Sequence, residues 1–142
     1  MKQVNIGQYF QKINDVITNT EEMGSKMNPY YEELRTAIDE NKEVTTETLA
    51  KVYTVFEEGT EVYHQYQANV EKMAAPVKLM GLHKKFVKAY VEYVAACDDM
   101  LASVNLDEGL NVEQFNASEK AQDEASQKVS AAVSRMATML MR

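Results

Sequence analysis

Apolar residues recur at spacings of three and four along nearly the whole chain, and no useful stretch alternates with a period of two. That pattern predicts helices throughout. The first apolar stripe runs Ile6, Tyr9, Phe10, Ile13, Val16, Ile17, Met23 and Met27, with Lys12, Asp15, Asn19 and Glu22 on the opposite face. A second runs Leu49, Val52, Phe56, Tyr63, Tyr66, Val70 and Met73, opened by Thr45 or Thr46 as N-cap. A third follows Pro76 through Leu79, Leu82, Phe86, Tyr90, Tyr93, Cys97, Met100 and Val104. The fourth starts near Asn111, where Asn111 and Gln114 have capping-box spacing, and continues through Phe115, Ala121, Ala125, Val129, Ala132, Met136 and Leu140.

The two prolines are told apart by helical phase. Across Pro29 the apolar direction is kept within roughly 30°, through Tyr30, Tyr31, Leu34 and Ile38. A first helix over about 4–41, kinked or split near Pro29, is therefore expected. Across Pro76 the direction jumps by roughly 170°, so the chain is expected to reverse at Ala74–Ala75–Pro76. The remaining helices fall at about 46–74, 76–104 and 112–141, joined by short connections. Similar lengths and short connections predict an all-α fold: one domain over 1–142, an antiparallel up-down-up-down four-helix bundle. The inner face of the last helix is small (Ala117, Ala121, Ala125, Ala132), which predicts close approach to a neighbour. Its end, with Met136, Met139, Leu140 and Met141, is a candidate contact with a second chain.

Composition narrows the function classes. A hydrophobic share of 45% excludes general disorder, and five Gly with two Pro are too few for the turns of a small all-β fold. One Cys excludes an intramolecular disulfide framework and a multi-cysteine metal site. No run approaches the ~18–20 apolar residues of a membrane span. The first residues, MKQVNIGQYFQKIND, are broken by polar side chains unlike a signal peptide, so a cytoplasmic protein is expected. Net charge is −7, with the acidic excess on residues 28–75. Such a chain repels phosphate backbones, and no nucleic-acid partner is expected. Lys78, Lys84, Lys85 and Lys88 share one polar helical face, either simply solvated or facing an anion.

Three side-chain groups carry candidate chemistry. Glu61 and His64, three apart on one helix, have the spacing of the Glu-x-x-His unit that di-iron bundles use twice. The second copy is missing here, because Met80 precedes His83 by three, and Glu57, Glu61, His64 and Glu71 lie at the edge of their helix's apolar face. His83 sits on the apolar stripe of the third helix, and a buried imidazole needs partners for its nitrogens. Tyr53, Tyr63, Tyr66, Tyr90 and Tyr93 are candidates for that role, leaving His83 as a hydrogen-bonded core residue, an axial haem ligand or the polar floor of a small-molecule pocket. Cys97 shares the stripe but lies fourteen residues, ~21 Å, from His83, which excludes a nucleophilic pair with it. Phosphate-cradling glycine loops, G-x-S-x-G, H-E-x-x-H and C-x-x-C-H are all absent.

The segment Ala75-Pro76-x-x-Leu79-x-x-Leu82-His83-x-x-Phe86-x-x-Ala89 resembles the helix start of uncharacterised helical-bundle domains of Gram-positive bacteria, many of them in surface lipoproteins. The resemblance implies a helical bundle and no defined activity. Neither a signal peptide nor a lipid-attached Cys accompanies it here. The sequence as a whole points to a non-enzymatic protein acting through contacts with a second copy or another bacterial protein, with no cofactor. The alternative is a bundle that binds a small ligand, haem or metal, with His83, and Glu61 and His64, at the site.

Overall fold

The computed structural model describes residues 4–140, which form an all-α bundle. The helices are α1 (Ile6–Asp39), α2 (Thr46–Lys72), α3 (Met80–Ser103) and α4 (Val112–Leu140). A single 3₁₀ turn, Val77–Leu79, leads into α3. Three helix N-termini carry polar caps: Thr45 and Asn111, as the sequence suggests, and Asn5, which it did not mark. Asn5 accepts from the Gln8 N–H, Thr45 from that of Thr48, and Asn111 from that of Gln114, at 3.0, 3.1 and 3.0 Å.

α1 runs unbroken through Pro29, so the proline does not split it. Proline removes one backbone donor and crowds the preceding turn. Pro29 and Ser25, the residue whose carbonyl loses its partner, both face solvent, where water replaces the bond. Helicity does end at Lys72, four residues before Pro76, and the chain reverses there.

The connection from α3 to α4 holds an unpredicted element, a hairpin pairing Val104 with Leu110 and Asn105 with Gly109. Asn105 Oδ1 accepts the N–H groups of Asp107 and Glu108, and Gly109 takes φ +94°, open to glycine at little cost.

α3 and α4 form the most closely packed helix pair. Buried small residues recur every seven positions on both: Ala89, Ala96 and Ser103 on α3, and Ser118, Ala125 and Ala132 on α4. Glu92 meets Lys128 and Met100 meets Gln122, contacts whose order reverses from α3 to α4, so the two rows run antiparallel. Close approach is thus realised, but through Ser118, Ala125 and Ala132. Ala117 and Ala121, also expected on the inner face, are exposed. Met136 is fully buried, and Met139 and Leu140 pack against the same core, so this segment is largely spent inside its own bundle. Met141 lies outside the described residues.

The core divides into two apolar clusters. One, toward the start of α1, gathers Tyr9, Ile13, Val70, Leu79, Phe86, Tyr90 and Met136. The other, toward its end, gathers Leu34, Leu49, Val52, Phe56, Met100, Val104 and Phe115. Between Val16 and Leu34, α1 buries no residue fully. The middle of the bundle is thereby left open along the α1–α4 seam.

Candidate functional site: a cleft between the first and last helices

That opening is a cleft of about 630 Å³. Gly24, Met27, Asn28 and Tyr31 of α1 form one wall, and Asn116, Glu119, Gln122, Asp123 and Ser126 of α4 the other. Phe56, Thr60 and Tyr63 of α2, with Tyr93, Cys97 and Met100 of α3, make the floor. An apolar, thioether- and tyrosine-rich floor under polar walls follows from helical phase, because each helix presents its inward stripe below and its stripe edge at the rim.

Side chains bridge α1 and α4 at one end of the cleft, and hydrogen bonds tie α1 to α2 and α3 beyond the other. At one end Tyr31 and Arg35 of α1 both donate to the Glu119 carboxylate of α4, while Arg35 also donates to Asn116 Oδ1 at 2.9 Å. Phe115 stacks on Tyr31, ring centroids 5.7 Å apart, and lies under the Arg35 guanidinium at 5.1 Å. Burial and the adjacent Glu119 hold the Tyr31 phenol above its ordinary range. At the other end Thr20 of α1 hydrogen-bonds the Tyr90 hydroxyl at 2.8 Å, and its carbonyl accepts from Tyr63 at 3.2 Å. Met23 and Val129 pack against the core there.

The Cys97 thiol in the floor is held in its protonated, weakly nucleophilic form. Burial pushes the Cys97 thiol up to about 12, although the Tyr93 hydroxyl pulls in the opposite direction. Burial also raises Tyr63 and Tyr93 above the ordinary tyrosine range, so their hydroxyls stay protonated as neutral donors.

Cys97, Tyr63 and Tyr93, singled out in the sequence, thus line the cleft floor, whereas His83, Glu61 and His64 lie elsewhere. His83 is buried, and its partner is none of the tyrosines of α2 or α3 but Tyr9 of α1: the Tyr9 hydroxyl lies 2.7 Å from Nδ1. Burial lowers the imidazole below its usual range, while the Val70 backbone raises it. With Nδ1 unprotonated, the neutral ring accepts a hydrogen bond from the Tyr9 hydroxyl. Met136 Sδ lies 3.3 Å from the same hydroxyl. His83 does not line the cleft.

Glu61 is exposed, and His64 turns away from it to α3, where Nε2 lies 2.7 Å from an Asp98 carboxylate oxygen. The structure therefore brings His64 to Asp98 rather than to a second Glu-x-x-His unit. Among the described residues no three His, Cys, Asp or Glu side chains converge to hold a metal ion.

The cleft itself was not foreseen. Its one sequence signal is a stretch of α1, residues 18–28, where Gly24, Met23 and Met27 are thinly spaced among polar residues. No protein-family model, curated protein or solved structure matches this chain.

Proposed function

We propose that this protein is a non-enzymatic binding bundle that holds a small, largely apolar molecule in the cleft between α1 and α4. The observation that carries the reading is an opening of about 630 Å³ between α1 and α4 with a mainly apolar floor. Its size falls within the roughly 300–1,000 Å³ of small-molecule pockets, which bundles build between helices. Met27 and Met100 supply deformable contacts that adapt to the guest's shape. Asn28, Gln122 and Ser126 offer hydrogen bonds to a polar group left at the mouth.

The test is titration of the untagged protein with the neutral probe N-phenyl-1-naphthylamine, together with native mass spectrometry. Saturable one-to-one binding is expected. It should be abolished by Gly24→Phe, which fills the cleft from α1, where a Cβ has only the Tyr63 hydroxyl near it at 3.7 Å. Binding that survives this substitution would place the guest elsewhere and sink the reading.

A further inference from the structure

Charge is segregated within this acidic chain. Residues 77–91 and 125–142 together hold seven bases and no Asp or Glu, leaving eight bases and 22 acids on the rest. The described residues of these segments are the 3₁₀ turn with the first half of α3, and the second half of α4 as far as Leu140, and the two helices lie antiparallel side by side. Between them runs a second groove, of about 310 Å³. Lys85 and Lys88 rise from α3 on one side, Lys128 and Arg135 from α4 on the other. The single acid in the groove, Glu92, is paired with Lys128 at 3.1 Å. Among the described residues, Lys85, Lys88 and Arg135 enter no ion pair.

The groove floor is made by Ala89, Ala131 and Ala132 with Leu82. Ala89 and Ala132 are almost wholly covered by the α3–α4 contact, so Ala131 and Leu82 are the accessible part of this floor, and the groove follows α3 for about 15 Å from Leu82 to Glu92. One wall offers cations one turn apart, the other offers cations two turns apart. Glutamates along the two edges of a helix recur at those same intervals, and the stripe between them is free to be apolar.

We infer that this groove docks an acidic amphipathic helix of a partner protein, its carboxylates meeting Lys85, Lys88 and Arg135 while small apolar side chains rest on Ala131 and Leu82. This site is separate from the α1–α4 cleft. A third helix laid on two antiparallel ones repeats the packing that built the bundle. The acidic excess on the rest of the chain disfavours an acidic partner there, which orients the encounter toward the basic half of α3 and α4. A flat anionic membrane fits less well. The cations line a concavity, and the exposed apolar residues Val77 and Met80 stand outside the groove. The groove also lacks aromatic rings on which bases stack.

The experiment is fluorescence anisotropy of the full chain with a labelled helical peptide of about 16 residues. The peptide carries glutamates flanking an Ala/Leu stripe, and its twin carries lysine at every glutamate. The glutamate peptide is expected to bind, to weaken as NaCl is added and to weaken at least about tenfold against Lys85→Glu/Arg135→Glu. Lys26→Glu, on the exposed surface of α1, should leave it unchanged. Circular dichroism checks that each variant is folded, and Lys88→Gln gives a milder loss should the double reversal unfold the bundle. Equal binding of the two peptides, indifference to the groove variants or no binding at low salt would overturn the inference. So would vesicles of phosphatidylserine or an oligonucleotide binding where the peptide does not. A salt-sensitive dimer that loses its contact on Arg135→Glu while the peptide fails to bind would overturn it in favour of a second copy.

Discussion

Tyr9 and His83, 74 residues apart, meet in a 2.7 Å hydrogen bond that ties the start of α1 to the start of α3. Every helix contributes to its surroundings: Tyr9 from α1, Val70 from α2, Phe86 from α3 and Met136 from α4. None of these neighbours is a carboxylate that would stabilise an imidazolium. Burial therefore decides the ionisation, and the ring is held neutral.

A pH dependence follows. The folded protein binds the His83 proton less readily than the unfolded chain, whose histidine titrates near 6.5. Stability from this group is complete above that value and is lost as pH falls from about 6.5 toward the lower folded-state value. Urea midpoints at pH 7.5 and 5.5 should show a fall in the native protein that His83→Leu largely removes. Tyr9→Phe keeps the ring but strips the Nδ1 partner, and should cost about 1–3 kcal/mol at pH 7.5.

Cys97 is expected to resist thiol reagents in the folded state. With its thiol pushed up to about 12 from 9.0, the thiolate fraction at pH 8 falls roughly a thousandfold. Reaction with a disulfide reagent should be slow in buffer and rapid in denaturing urea. Fast labelling of the native protein would mean that the cleft floor is open to attack.

The helices and their order were legible in the sequence because they rest on local signals. Apolar spacing set the stripes, Thr45 and Asn111 marked starts, and the phase jump at Pro76 marked a reversal. Pro29 was harder, since whether a proline breaks a helix depends on which side its missing bond faces. The partner of His83 was not legible either. Its own helix and the neighbouring one in sequence offered five tyrosines, but distance along the chain says nothing of which residue the fourth-helix packing leaves nearest. The cleft belongs to the same class: it arises where α1 and α4 diverge, and these are the two helices farthest apart in sequence. The Asn105–Gly109 hairpin came from an Asn side chain and a positive-φ Gly within a loop too short to show strand alternation.

The α3–α4 seam should tell a buried alanine from an exposed one. Ala125 is 3% exposed and faces the small row of α3, whereas Ala121, one turn away, faces solvent. Ala125→Leu forces side chain into a close helix contact and should cost about 1–3 kcal/mol. Ala121→Leu should change stability by less than about 0.5 kcal/mol. Thermal unfolding of the pair separates the two positions directly.

Gly59 and Met27 provide a test of how the cleft is shaped. Gly59 is a buried position inside α2, and its backbone is not in the left-handed region, so alanine suits the helix and should add up to about 1 kcal/mol. A Cβ there would overlap the Met27 sulfur, because that side chain lies directly on the glycine. Met27 is flexible and lines the cleft, so it should give way by swinging toward the opening. The gain and the displacement then oppose each other, leaving Gly59→Ala close to neutral. In a Met27→Ala background nothing needs to move, and the same substitution should stabilise by about 0.5–1 kcal/mol. Urea denaturation of the four proteins in this cycle measures the coupling. N-phenyl-1-naphthylamine should also bind more weakly to Gly59→Ala, since the displaced methionine occupies part of the cleft. A coupling of zero, with probe binding unchanged, would mean that Met27 does not rest on Gly59 and that the cleft wall is set by other contacts.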